Sequence, residues 1–186
     1  ADSYHGVTYA KEFGKAAYIT KATAQLMRDF GSTPAPISSW IMGMHLESLG
    51  VRMERHCANA QKVAEWLAAD PRVSWVSYPG LENDKYHALA QKYMPNGTCG
   101  VISFGVPGGR ETVSAFLDHL KMVSIATHVA DARSCTLYPA GTTHRQLTEE
   151  QLEEAGVGID LVRLSCGIEN AADIIADLDQ ALAAVQ

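Results

Sequence analysis

The fold of this chain is decided by the stretch Leu161-Val162-Arg163-Leu164-Ser165-Cys166-Gly167-Ile168-Glu169. Its short apolar run predicts a β-strand that ends before Gly167, and Asn170 favours the start of a helix directly afterwards. Arg163 lies inside this strand. Because a guanidinium is permanently charged and can grip a carboxylate with two parallel hydrogen bonds, Arg163 is a candidate for recognition of an amino acid's α-carboxylate. The alternative is a structural arginine that extends to the surface or pairs with a neighbouring acid, and the spacing alone leaves it open.

Upstream of this strand, β-rich segments alternate with segments of helical periodicity. Four strands are expected, at 73–78, 100–106, 122–127 and 161–165. Helices are expected at 22–30, 37–49, 51–69, 85–94, after the glycines at 108–109 and after Asn170, with Gly50 as an interruption between two of them. Thr148 and Gln151 form a capping box, which predicts one more helix start. Strands interleaved with helices predict an α/β fold of two layers, in which a small sheet is covered by helices.

The composition excludes several classes of protein. The net charge of -6 over 186 residues argues against a nucleic-acid surface, which needs clustered basic residues. The uncharged run at 30–46 contains Pro34 and Pro36 and is too short for a membrane span, and no signal pattern is present, so we expect a cytoplasmic protein. Four dispersed cysteines and seven scattered histidines show no ligand spacing, so no metal site is expected.

Three separated motifs resemble one family. They are the stretch 161–169, the segment Tyr138-Pro139-Ala140-Gly141-Thr142-Thr143-His144-Arg145-Gln146-Leu147, and the segment Arg52-Met53-Glu54-Arg55-His56-Cys57-Ala58-Asn59-Ala60. In their order along the chain they resemble the pyridoxal-phosphate (PLP) enzymes of Cys/Met metabolism, most closely the O-acetylhomoserine sulfhydrylases, with methionine γ-lyases and cystathionine γ-synthases as relatives. The resemblance runs from Ser3-Tyr4-His5-Gly6 to the end of the chain. It implies the C-terminal domain of fold-type I PLP-dependent transferases, with a largely antiparallel sheet.

The resemblance also implies a division of the chain. Residues 1–31 are expected to finish the larger PLP domain, 32–55 to form a linking helix region, and 56–186 to form the C-terminal small domain. The two prolines that follow Gly31 support a boundary there, because they prevent a regular helix.

The resemblance implies roles for three residues in binding the substrate. Arg163 would hold the α-carboxylate, and His128 and Val129 of the loop 127–131 would contact the same group, although relatives often carry serine or asparagine where His128 stands. No catalytic residue is expected in this chain. The lysine that binds the cofactor covalently, the phosphate-binding turn and the aspartate at the pyridine nitrogen are expected on a larger N-terminal domain, and Lys21 is interpreted as a solvated lysine. Many relatives have His-Pro-Ala-Ser where this chain has Tyr138-Pro139-Ala140-Gly141, and we expect this departure to loosen or reshape the loop.

The function that the resemblance implies is the conversion of O-acetylhomoserine and sulfide to homocysteine and acetate, in methionine biosynthesis. PLP would be the cofactor of the full-length enzyme, and this chain alone would be inactive. A homo-oligomer, usually a homotetramer, with active sites shared between paired subunits is expected. Two alternatives stay open: γ-lyase or cystathionine γ-synthase activity, and a catalytically silent binding or assembly module.

Overall fold

The structure, a computed structural model, describes residues 5–185. Ser3 and Tyr4, at which the family resemblance begins, lie outside the described residues. The chain divides into two compact units, Ala1–Ser48 and Leu49–Gln186. The domain limits expected from the sequence, 1–31, 32–55 and 56–186, stay a prediction.

The first unit is helical over most of its described residues. Its helices are α1 (Tyr9–Phe13), α2 (Ala17–Lys21), α3 (Arg28–Phe30) and α4 (Pro36–Glu47), with a 3-10 turn at Gly14–Ala16 and a π-helical stretch at Ala22–Met27. The helix expected over 22–30 is therefore present, and Gly31 follows it in the left-handed conformation, with φ +64°. Residues 31–35 form no helix, as the two prolines predict. Pro36 then occupies the first turn of α4, where a missing N–H is tolerated.

The break after α4 lies earlier than the glycine predicts. α4 ends at Glu47 and α5 (Leu49–Ala69) begins before Gly50, so the expected interruption at Gly50 is wrong. A glycine weakens a helix mainly in its interior. Gly50 lies in the first turn, whose N–H groups have no intrahelical partner in any helix, and α5 tolerates it there.

The second unit is built on a five-stranded sheet. Its strands are β1 (Val76–Ser77), β2 (Val101–Gly105), β3 (Ser124–Ile125), β4 (Cys135–Leu137) and β5 (Leu161–Ser165). They lie in the order β1-β2-β5-β4-β3, with three antiparallel pairs and one parallel pair, β3 with β4. This confirms the α/β class with a small, largely antiparallel sheet. The sequence pattern misses β4, a buried strand of three residues.

Helices cover one face of the sheet and form the core with it. The helices of this unit are α5 (Leu49–Ala69), α6 (His87–Tyr93), α7 (Gly109–Asp118), α8 (Glu149–Glu154) and α9 (Ala171–Ala183). Phe104 of β2 and Phe116 of α7 are fully buried and meet edge to face, with ring centroids 6.1 Å apart. Burial of each such side chain contributes roughly 1.5–3 kcal/mol. The capping box at Thr148 and Gln151 is confirmed, and so is the Asn170 cap, whose Oδ1 accepts from Ala172 N.

A buried carboxylate on α9 fixes the segment that leads into β3. The two carboxylate oxygens of Asp177 accept hydrogen bonds from the backbone N–H groups of Lys121, Met122 and Val123, each at 2.9 Å. Burial alone would raise the pKa of Asp177, but these three N–H groups and the Gln180 side chain outweigh it and hold the pKa below its usual range. The chain therefore enters β3 and the loop that follows it in a defined conformation.

Candidate functional site

Arg163 lies on the central strand of the sheet. Within β5 it is paired with Ser103 of β2 on one side and Leu137 of β4 on the other. Val162 and Leu164 are fully buried against the helices, so Arg163 projects from the opposite face, because successive side chains of a strand alternate. The residue is half-buried, and its Nη2 donates to the carbonyl oxygen of Thr127 at 3.1 Å.

No carboxylate among residues 5–185 forms an ion pair with Arg163. Its one recorded hydrogen bond goes to a neutral carbonyl, which does not compensate the charge. A guanidinium has five N–H donors, and the remaining donors can bind an anion. The internal acid partner that would make Arg163 purely structural is absent from this part of the chain.

Residues 127–131, which we call the site loop, connect β3 towards β4. Two side chains of β5 hold this loop: Arg163 donates to Thr127 O, and Ser165 Oγ accepts from Ala130 N at 3.1 Å. Between these two anchors, His128 and Val129 are exposed. The structure thus brings the loop and the strand arginine together, as the resemblance implies, with contact through the loop backbone.

The charges at the end of the site loop are locally balanced. Asp131 accepts from the backbone N–H of Arg133 at 3.0 Å and forms a longer ion pair with its side chain. The Arg133 N–H lowers the pKa of Asp131, and the Arg133 charge and the nearby His128 ring contribute in the same direction. Asp131 and Arg133 therefore pair with each other locally.

A second set of hydrogen bonds joins the turn after β5 to the residues before β4. The carboxylate of Glu169 accepts from the Ser134 backbone N at 2.6 Å and from its hydroxyl at 2.9 Å, and Ser134 Oγ accepts from Gly167 N at 2.9 Å. Any Cβ at Gly167 would collide with Glu169 Oε2, Ala132 O and Ser134 N. Only glycine fits where the backbone at residue 167 approaches Ala132 and Ser134 so closely.

The motif 52–60, on α5, forms hydrogen bonds to the same turn after β5. His56 Nδ1 lies 2.6 Å from Cys166 O, and Asn59 Nδ2 donates to the carbonyl oxygens of Gly167 and Glu169 at 2.9 and 2.8 Å. Both side chains are buried. Since a carbonyl only accepts, His56 carries its proton on Nδ1. Sequence reasoning missed this role, although the spacing of His56 and Asn59 puts both on one face of α5.

In the segment 138–141, Tyr138 and Gly141 stand where many relatives have histidine and serine, and the two residues depend on each other. The ring of Tyr138 is buried and its hydroxyl donates to Ile159 O at 2.8 Å. A Cβ at Gly141 would overlap this ring, so the tyrosine needs the glycine. Burial raises the pKa of Tyr138. The Thr142 hydroxyl donates to Tyr138 O at 2.6 Å and closes this turn. That the departure from the relatives' segment loosens or reshapes the loop stays a prediction.

That the lysine which binds PLP covalently lies outside this chain stays a prediction. Lys21 is half-buried, with Nζ 5.9 Å from the centroid of the Tyr9 ring, within the range of a cation–π contact; its interpretation as a solvated lysine without a cofactor role stays a prediction. At the site, the Arg163 guanidinium offers hydrogen-bond donors that suit an anion such as a carboxylate. Residues 5–185 contain no cluster of His, Cys, Asp or Glu that could hold a metal ion, and no helix there is long and apolar enough to cross a membrane.

Comparison with known proteins identifies the family. The family model described as "Cys/Met metabolism PLP-dependent enzyme" matches residues 2–183. O-acetyl-L-homoserine sulfhydrylase 1 of Thermus thermophilus is 41% identical over 97% of this chain and 43% of its own length. O-acetyl-L-homoserine sulfhydrylase of Leptospira meyeri is 43% identical, again over 97% and 43%, and homocysteine synthase of Schizosaccharomyces pombe is 44% identical over 96% and 42%.

A solved structure agrees with the sequence comparison. A Campylobacter jejuni crystal structure described as an O-acetylhomoserine (thiol)-lyase, which contains a pyridoxyl-lysine phosphate, matches with a TM-score of 0.85 and 37% identity. The match covers 98% of this chain and 43% of that one, so the chain spans less than half the length of the relatives named above. The family expected from the three motifs is confirmed: this chain belongs to the Cys/Met metabolism family of PLP-dependent enzymes.

Proposed function

We propose that this chain forms the substrate-carboxylate site of a PLP-dependent sulfhydrylase that converts O-acetylhomoserine and sulfide to homocysteine and acetate, in methionine biosynthesis. The observation that carries the proposal is the Arg163 guanidinium, which no carboxylate of the described chain neutralises. The names of the relatives, which are sulfhydrylases and homocysteine synthases, support this choice of reaction within the family.

In this proposal Arg163 binds and orients the amino acid. The bond from Nη2 to Thr127 O fixes the plane of the guanidinium, so its other N–H groups point in set directions before the substrate arrives. Two of them can donate in parallel to the two oxygens of the α-carboxylate. His128 and Val129 would line the same place from the site loop.

The cofactor would be held by residues other than Arg163, His128 and Val129. PLP, when bound, supplies the electron sink for reaction at the amino-acid carbons. The part of this chain is to hold the carboxylate end of the substrate at a constant distance from the sheet, which limits the motion of the reacting carbons. A homo-oligomer with shared active sites and a cytoplasmic location stay predictions of the same proposal.

The test uses the complete enzyme that contains this chain, loaded with PLP. We expect Arg163→Ala to lower kcat/KM for O-acetylhomoserine by about 100-fold, because loss of a charged pair of hydrogen bonds costs roughly 2–5 kcal/mol. Arg163→Lys keeps the charge but lacks the two parallel N–H donors of the guanidinium, so we expect a smaller loss of kcat/KM. Arg145→Ala, which removes the same charge from an exposed position, is the matched control.

Two results would change the assignment. An Arg163→Ala enzyme with near-normal kcat/KM would show that Arg163 does not bind the α-carboxylate of the substrate. Release of α-ketobutyrate from methionine, without formation of homocysteine from O-acetylhomoserine and sulfide, would move the reaction to the γ-lyase type.

A further inference from the structure

We propose that Ser165 is a positioning residue for substrate binding, because its hydroxyl holds the site loop in the conformation that faces Arg163. This inference rests on the proposed function, since it concerns the same carboxylate site. It adds a residue that touches the loop and not the substrate.

The site loop contains a backbone conformation that needs support. Ala130 has φ +58°, in the left-handed region that residues with a Cβ avoid. Such a conformation persists where the surroundings hold it in place. The recorded support is the hydrogen bond from Ala130 N to Ser165 Oγ, at 3.1 Å.

Ser165 is well suited to hold the loop because it is itself immobile. Its side chain is buried, with 2% exposure, and its backbone is paired with Val101 of β2 and Cys135 of β4. A strand that is bonded on both sides cannot shift without breaking two ladders. The acceptor for Ala130 is therefore a fixed point of the sheet.

Arg163 and Ser165 act on the two ends of the same loop. They are two residues apart on β5 and so share one face of the sheet. Arg163 bonds to the carbonyl of Thr127, and Ser165 bonds to the N–H of Ala130. The loop backbone is thus pinned on either side of His128 and Val129.

The pinned geometry leaves donors available beside the arginine. The backbone N–H groups of His128 and Val129 have no acceptor within the part of the chain that the structure describes. Successive free N–H groups next to a cation favour an anion. Without the Ser165 bond the site loop would move relative to Arg163. The substrate carboxylate would then lose the N–H donors of the loop, while the positive charge of Arg163 would remain.

The experiment compares two competitive inhibitors of the complete PLP-loaded enzyme. L-2-aminobutyrate carries the carboxylate, and propylamine is the same molecule without it. We expect Ser165→Ala to weaken aminobutyrate about 3- to 10-fold, the effect of about one hydrogen bond, and to leave propylamine unchanged. KM for O-acetylhomoserine should rise by a similar factor, with kcat nearly unchanged.

The control is Ser74→Ala, which removes an exposed hydroxyl bonded to Asp160 on another edge of the sheet. It should leave both inhibition constants unchanged. If Arg163→Ala abolishes the preference for aminobutyrate and Ser165→Ala retains it, the positioning role is refuted and the proposed function stands. If Arg163→Ala also retains the preference, the proposed function itself fails.

A measurement on the unmodified chain covers the case in which Ser165→Ala does not fold. Backbone hydrogen exchange followed by NMR should show the Ala130 amide exchanging more slowly than the amides of His128 and Val129. Equal exchange at the three positions would overturn the inference, because it would mean that Ser165 does not hold the loop.

Discussion

Replacement of Asp177 by asparagine should destabilise the second unit strongly, because the carboxylate satisfies three consecutive backbone N–H groups. Asparagine has one acceptor oxygen. In its best orientation Oδ1 keeps the bonds from Met122 and Val123, and Nδ2 then faces the N–H of Lys121, which loses its acceptor.

The expected cost follows from these bonds. Loss of a hydrogen bond to a charged group costs roughly 1.5–3 kcal/mol, and the change from a charged to a neutral acceptor costs about 0.5–1 kcal/mol for each of the other two. The free energy of unfolding of Asp177→Asn should therefore fall by about 3–4 kcal/mol. For a unit of this size that corresponds to a decrease in Tm of about 10 °C.

Urea unfolding of the chain, followed by tryptophan fluorescence, measures the change. The matched control is Asp173→Asn, which removes the same charge from an exposed position in the first turn of α9. It should cost at most about 1 kcal/mol, from the helix dipole. A loss below about 1 kcal/mol in Asp177→Asn, or an equal loss in both variants, would refute the reasoning.

The pH dependence gives an independent check. Because the pKa of Asp177 is lowered in the folded protein, its contribution to stability is present above the unfolded-state pKa of about 4 and is lost as the pH falls through the folded-state value. The asparagine variant cannot titrate at this position. The difference in stability between the wild type and Asp177→Asn should therefore narrow on acidification from neutral pH, and a constant difference would contradict the assignment.

One substitution and one labelling experiment test the turn after β5. Gly167→Ala should lower the free energy of unfolding by about 2–3 kcal/mol, because the new Cβ meets Ser134 N and other fixed atoms. The control is Gly43→Ala, whose new Cβ has no atom within 4 Å. It should not lower the free energy of unfolding in the same urea experiment. Burial raises the pKa of the Cys166 thiol to about 12, so iodoacetamide at pH 8 should leave Cys166 unmodified until urea unfolds the chain. Peptide mass spectrometry that finds native Cys166 labelled as fast as the half-buried Cys57 would show that the turn opens.

The sheet illustrates where sequence patterns succeed and where they do not. β5 and β2 are long, apolar and close to their expected limits, because burial on the helix-covered face imposes the pattern directly. β1 is expected over 73–78 but is limited to Val76–Ser77, which pair in register with Phe104 and Ser103 of β2. Before them, the backbone groups of Ser74 and Trp75 bond to Gly105, the last residue of β2. β4 is missed because its three residues owe their conformation to pairing with β3 and β5, and pairing partners cannot be read from a short segment.

The sequence by itself determined the strand arginine, the capped helices that flank β5 and, through three ordered motifs, the family. These features depend on residue type and local spacing, which are properties of short segments. Only the tertiary structure decided that Ser165 and Glu169 hold residues 127–134, that His56 and Asn59 bond to the turn after β5, and that the ring of Tyr138 occupies the space over Gly141. Each of these is a contact whose geometry exists only once the strands are paired and the helix is packed, because hydrogen bonds and excluded volume act at distances of a few ångströms in space and not along the chain.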